Sequence, residues 1–396
     1  MNLRGVVAYT RVSLAPPPFF QTAFAALIRI AAPFLFDSPV PRPAPSNMSV
    51  SPLDFPATLG RNGLPRVVAT HAASGASLEV YLHGAHVTSY TVRGHDLLFL
   101  SSIAVFDGVA PIRGGIPIAF PQFAAQGPLP MHGFARTSTW EVVASRDGYV
   151  ELCLRDTDAT RAVWPHAFTL TYRLTFGGPT LRAALTVNNP ASAAAPFTFE
   201  TLLHAYIALG RGAVRAVADD EPDDEGMPTV GWLDGARFAD KVKGGVESVQ
   251  PAVPIAIRGA EIDRIYMTPV SRSALVRGLR SDVFGGVRID YVGVLEGGSG
   301  VPARAHNVDV VVWNPAAPRA AAIVDLDDDA WQHYVCVEPG RVSKASILEL
   351  APGASFTLDV SYNLLAVPLP PPTPISQEQI AERNAAVATA AAAVDL

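Results

Sequence analysis

Cysteine is nearly absent from this 396-residue sequence. Cys153 and Cys336 are its only two, too few for a disulfide scaffold, and they read as small buried apolar residues of a reduced compartment. Charge is scarce as well. Asp, Glu, Lys and Arg make up 17% of the chain against 49% hydrophobic residues, which excludes a largely disordered protein and supplies material for a substantial core. A net charge of -6, with no run of Lys and Arg, gives no footprint for nucleic acid. An anionic ligand therefore needs local cations acting against the overall sign.

Several chemical signatures are missing too. There is no Gly-x-x-x-x-Gly-Lys loop and no Gly-x-Gly-x-x-Gly turn, so nucleotide binding has no support. No serine sits in a Gly-x-Ser-x-Gly elbow. Two distant cysteines make no four-cysteine zinc site. His83 and His86, read as three apart on one strand, face opposite sides and suit packing or surface roles better than chelation. The apolar run from Phe19 to Phe36 contains Gln21, Arg29 and Pro33 and falls short of a membrane span. No stable membrane insertion is expected.

What is present reads mainly as strands. Residues 1–50 stand apart as a leader, disordered or targeting-like: up to Asn47 they carry Arg4, Arg11, Arg29 and Arg42 against a single acid, Asp37. Two readings fit, an organellar transit segment and a non-functional leader upstream of a start at Met48. Cytoplasm is the default location. Residues 51–368 form the expected folded domain. Trp140 to Ala144 and Tyr149 to Leu154 flank Asp147-Gly148, a hairpin signal. Phe168, Leu170, Tyr172, Leu174 and Phe176 alternate with polar or small residues, and Gly177-Gly178 turns the chain into Leu181, Ala183, Leu185 and Val187. Further strands are expected over Val287 to Val294, Val308 to Trp313 and Phe356 to Tyr362. Many short strands without a strand-helix-strand rhythm predict an all-β, antiparallel sandwich or barrel. Asp219 to Glu225 reads as a solvated acidic loop. Residues 369–396 read as a Pro-rich linker and a short C-terminal helix, with Ser376 and Gln379 as its capping box.

Polar residues also occur where apolar ones are expected. They lie in Ile112-Arg113-Gly114-Gly115-Ile116-Pro117, His132-Gly133-Phe134-Ala135-Arg136, Leu202-Leu203-His204-Ala205-Tyr206, Glu261-Ile262-Asp263-Arg264-Ile265-Tyr266 and Val335-Cys336-Val337-Glu338-Pro339-Gly340. Pro339-Gly340 suggests that Glu338 ends a strand. Each segment alone is compatible with a surface or ion-paired residue.

Taken in order, with Phe120-Pro121, Leu129-Pro130 and Val312-Trp313-Asn314-Pro315, these segments resemble the aldose 1-epimerase superfamily, and more closely its glucose-6-phosphate 1-epimerase branch. The resemblance runs from about Leu53 to Leu365. It implies a galactose mutarotase-like antiparallel β-supersandwich and cofactor-free, metal-free interconversion of α and β anomers of a hexose 6-phosphate, by a chain taken as a monomer. It puts the catalytic pair on His204 and Glu338, a sugar-binding carboxylate on Asp263, and substrate or phosphate binding on Arg113 and Arg136. Met131 stands where family members often carry a substrate-contacting Gln, and Ile207 and Ala316 replace family aromatics.

These residue types suit the reaction. Opening a pyranose needs a proton delivered to the ring oxygen while another leaves the C1 hydroxyl. An ionised Glu338 and a protonated His204 are expected to divide that work, from reference values of about 4.3 and 6.5. A guanidinium fork matches phosphate oxygens, which favours a ligand role for Arg113 and Arg136 over the alternative of bracing loops. His132 either touches the sugar or supports a neighbour, and Arg264 reads as a structural ion-pair partner. Two other functions stay open: a mutarotase of non-phosphorylated aldoses, and a non-catalytic carbohydrate-binding protein on the same fold.

Overall fold

The computed structural model describes residues 53–210, 214, 227–269, 271–297 and 302–367. The leader, the acidic loop and the C-terminal helix expected from sequence lie outside them. Among the described residues the strands form antiparallel sheets of five, ten, two and eight strands, and no helix is long and apolar enough to cross a membrane.

Alternation builds the ten-stranded sheet. The Asp147-Gly148 and Gly177-Gly178 hairpins form as expected, pairing Glu141–Arg146 with Tyr149–Arg155 and Thr169–Gly177 with Thr180–Asn188. Every second residue of Thr180–Asn188 is buried: Leu181, Ala183, Leu185 and Val187. Its other neighbour is the distant strand Ser355–Ala366, which buries Phe356, Leu358, Val360, Tyr362 and Leu364. That strand also pairs with Phe284–Glu296, so the C-terminal strand is wedged into the middle of the sheet.

The eight-stranded sheet follows a different rule. Its central strand, Tyr334–Arg341, is buried at every position, as a strand covered on both faces must be. Asp309–Asn314 pairs along one side of it. Thr201–Leu203 and Ala205–Ala208 pair along the other. Glu338 therefore lies inside a strand rather than at its end. Pairing runs on through Val310↔Pro339 and Asp309↔Gly340, so Pro339 removes one donor from the ladder without stopping the strand.

His83 and His86 also differ from expectation. Gly84 and Ala85, at φ 76° and 45°, turn the chain between them, and the strand begins only at His86. Both are buried packing residues: His83 Nε2 meets the Ala110 carbonyl and His86 Nε2 the Gly114 carbonyl, each at 2.9 Å.

Candidate active site

Register brings the candidate pair together. Leu202 opposes Gly340 and Ala205 opposes Val337. The two strands thus advance by equal counts across the gap, and His204 stands opposite Glu338. Directly opposed residues share a face of the sheet. In the row of Glu338 lie Val311 and Ile265, and in the adjacent row on the same face lie Asp263, Trp313, Cys336 and Tyr206. The ladder lapses at Leu203 and Pro339, where proline has no N–H to give, and the His204 amide donates instead to the Pro117 carbonyl at 2.9 Å.

His204 Nε2 lies 3.4 Å from Glu338 Oε1. The imidazole stacks on Tyr206 at 4.9 Å and 14°, with the edges of Trp313 and His132 at 5.9 and 5.5 Å. Glu338 is 1% exposed, and its second oxygen, Oε2, has no partner. Burial, then the like charge of Asp263, raises the Glu338 carboxyl well above the usual range, with Lys241 acting the other way. Burial, then His132, Arg136 and Arg113, lowers His204 well below an ordinary imidazole. The expected division, ionised Glu338 beside charged His204, runs against both directions. Removing either charge from water is costly, and the sequence could not register that cost.

Asp263 joins the site through Lys241, whose Nζ is 2.9 Å from Oδ2 and 5.5 Å over the Phe123 ring. Arg264 is an ion-pair partner, as expected, but of Asp240 at 3.5 Å rather than of its neighbour Asp263. Adjacent residues of a strand face opposite sides. Lys241 was not singled out from the sequence, because it follows the strand Arg237–Asp240 in a segment without a motif.

The two arginines are placed differently. Arg113 is held by Asp325, with Nε and Nη2 each 3.0 Å from Oδ1, while Nη1 reaches the Tyr206 hydroxyl at 3.4 Å. It braces the site as well as facing it. It is carried on a turn that requires glycine: Gly115 has φ 61°, and a Cβ there would lie 2.1 Å from the Val87 carbonyl oxygen. Arg136 is freer. Its Nη2 donates to the Met131 carbonyl at 2.7 Å, its Nε has no partner, and burial lowers its pKa to about 10.

His132 and Gly133 are both left-handed, at φ 64° and 69°, and a Cβ on residue 133 would strike the Phe120 carbonyl at 2.2 Å. Phe134 anchors the loop among Phe120, Trp164 and Phe168. His132 Nδ1 accepts from the Ala124 amide at 3.3 Å, which leaves the proton on Nε2. Burial first, then Arg136, Lys241 and Arg113, lowers its pKa to about 3. It is therefore neutral, with its ring edge against His204, while the Met131 side chain is exposed. Of the remaining motif residues, Asn314 is structural, its amide bonded to the Trp331 and Tyr334 carbonyls at 2.8 Å. Chemically, the arrangement offers one buried carboxyl–imidazole pair, a second carboxylate held by a lysine, and two arginines on the same side.

The family model for aldose 1-epimerase matches residues 66–363. Relatives named "Putative glucose-6-phosphate 1-epimerase" include one from Cenchrus ciliaris, 30% identical over 308 residues, covering 74% of this chain and 83% of that protein. Another, from Salmonella typhimurium, is 32% identical over 282 residues, covering 69% and 82%. A crystal structure from Salmonella typhimurium described as a "putative mutarotase" superposes with a TM-score of 0.61 at 25% identity, covering 79% of this chain and 97% of that one. A Synechocystis protein shares the fold at a TM-score of 0.57 and 20% identity, covering 81% and 99%. On this match, the chain belongs to the aldose 1-epimerase family.

Proposed function

We propose that this epimerase interconverts the α and β anomers of a hexose 6-phosphate, with His204 and Glu338 as its acid–base pair. The observation that carries the reading is the buried 3.4 Å contact between His204 Nε2 and Glu338 Oε1, beside a Glu338 Oε2 with no partner. Ring opening needs a pair that holds one proton and can pass one in each direction, and these two groups fit that need.

Burial favours the protonated form of Glu338 and the neutral form of His204. Sugar hydroxyls donating to the bare Oε2 stabilise the carboxylate, and the proton moves to His204. Glu338 then takes the proton of the C1 hydroxyl while His204 protonates the ring oxygen. The open aldehyde turns about its C1–C2 bond. On closure His204 recovers the proton from the ring oxygen and Glu338 returns one to O1, so the pair resets. Asp263 accepts from sugar hydroxyls through charge-assisted bonds. Arg136, with its unpartnered Nε, is the better placed arginine for phosphate. Arg113, fixed by Asp325, contributes field and shape.

Exchange NMR on α- and β-glucose 6-phosphate tests this. Catalysed exchange is expected, with His204→Ala and Glu338→Gln each lowering kcat by about 100-fold or more. Arg136→Ala is expected to raise KM for the phosphorylated sugar while leaving free glucose unaffected. Faster exchange on free hexoses than on their 6-phosphates would instead favour a mutarotase of neutral sugars. A folded protein that accelerates neither leaves only a carbohydrate-binding role.

A further inference from the structure

We propose that the His204–Glu338 pair is also a binding site for a thiophilic divalent cation of the Zn2+ class, with Cys336 as third ligand, and that occupancy shuts the enzyme off. The inhibitory half rests on the acid–base reading above; the binding half rests on geometry alone. His204, Cys336 and Glu338 each offer one ligand atom, and the three atoms lie within 4.8 Å of one another. Their convergence follows from the register. Cys336 and Glu338 are two apart on one face of a strand, and His204 stands opposite Glu338.

The nitrogen–oxygen spacing suits a tetrahedral ion, and the sulfur, within 4.8 Å of both atoms, is near enough to close on it. Nitrogen and oxygen ligands about 2.0–2.1 Å from such an ion sit roughly 3.4 Å apart, and His204 Nε2 to Glu338 Oε1 is 3.4 Å. The second carboxylate oxygen, Glu338 Oε2, is buried without a partner, so the cluster has unused ligand capacity beside its ligand atoms. A mixed nitrogen, sulfur and oxygen set selects zinc-like ions over magnesium or calcium. Three protein ligands leave a fourth position for water.

Loading balances as a proton exchange. The Cys336 thiol proton and any proton on the Glu338 carboxyl pass to solvent as the ion binds, and nothing is oxidised. Sugar and cation then exclude each other, because both need Glu338 and His204. Asp263, in the next row, favours the incoming charge. Arg113, Arg136 and Lys241 oppose it, which makes this an inhibitory site of modest affinity.

The test uses the full chain stripped with a chelator. Co2+ is titrated while the thiolate-to-cobalt charge-transfer absorption is followed, and Zn2+ is then titrated into the anomer-exchange assay. The expected result is a saturating band that Zn2+ displaces, and inhibition that a chelator reverses. Cys336→Ala and the near-isosteric Cys336→Ser should retain metal-free activity, lose the band and need about 100-fold more Zn2+ for inhibition. His204→Ala should weaken Co2+ binding in the same titration, where activity is not read. Absence of the band in the unmodified protein, or Cys336 variants as sensitive to Zn2+ as the parent, would overturn the proposal. A thiolate–cobalt band in a chain without epimerase activity would uphold the binding half and overturn the activity reading.

Discussion

His86 carries no chemistry, yet it holds the turn that aims Arg113. Its ring is buried against the Gly114 carbonyl, and burial, partly offset by that bond, lowers its pKa to about 3. His132 is likewise lowered to about 3. In the unfolded chain both titrate near 6.5, so between roughly pH 6.5 and 3 the unfolded state binds protons that the folded state refuses. The stability tied to these two residues is therefore complete above pH 6.5 and is lost as pH falls. Urea midpoints should drop steadily below pH 6.5, and His86→Gln should reduce the slope by about one proton; an unchanged slope would contradict this account. A second effect belongs to Lys241, which opposes the upward shift of Glu338. Lys241→Met should move the alkaline limb of kcat/KM, where the pair loses its single proton, to higher pH, and Lys241→Arg should restore it. His204, Glu338, Asp263 and the arginines can be marked as candidates in the sequence through the family resemblance of their segments, although each alone is compatible with a surface or ion-paired residue. Lys241 and Asp325 cannot, because they meet their partners only through tertiary contacts. The protonation of the pair was illegible for a related reason: desolvation depends on what surrounds a side chain.

Between single residues and the whole sheet lies the strand pair Asp309–Asn314 and Tyr334–Arg341. Asp309 is fully buried and fastens the end of this pair, accepting from the Thr268, Val342 and Ser343 amides and the Ser343 and Ser346 hydroxyls. Asp309→Ala removes the acceptor and leaves those donors dry, which should cost about 3 kcal/mol in urea unfolding. The same change should lower activity only in proportion to the unfolded fraction. The hairpins at Asp147-Gly148 and Gly177-Gly178 could be read from the chain because their turn residues and alternation are local. The placing of Ser355–Ala366 between Thr180–Asn188 and Phe284–Glu296 could not, since no local pattern names a partner so far along the chain. Pro339 misled for a similar reason. In isolation Pro-Gly marks a strand end, whereas here the neighbouring strand continues to hold it.

Across the whole molecule, the strand bearing Glu338 is among the most deeply covered, with every residue from Tyr334 to Arg341 buried. Amides in such a strand exchange with solvent only when the protein as a whole opens. Mass-spectrometric hydrogen exchange should give peptides spanning Val335 to Val337 an opening free energy equal to that of global unfolding. Faster, denaturant-insensitive exchange there would speak against it. On the proposed mechanism the base is thus mounted on a strand with no exposed residue, so warming should not gradually slacken the site. Activity should follow an Arrhenius line up to the unfolding transition and fall with it. For this protein, heat tolerance of the fold and heat tolerance of turnover become a single property.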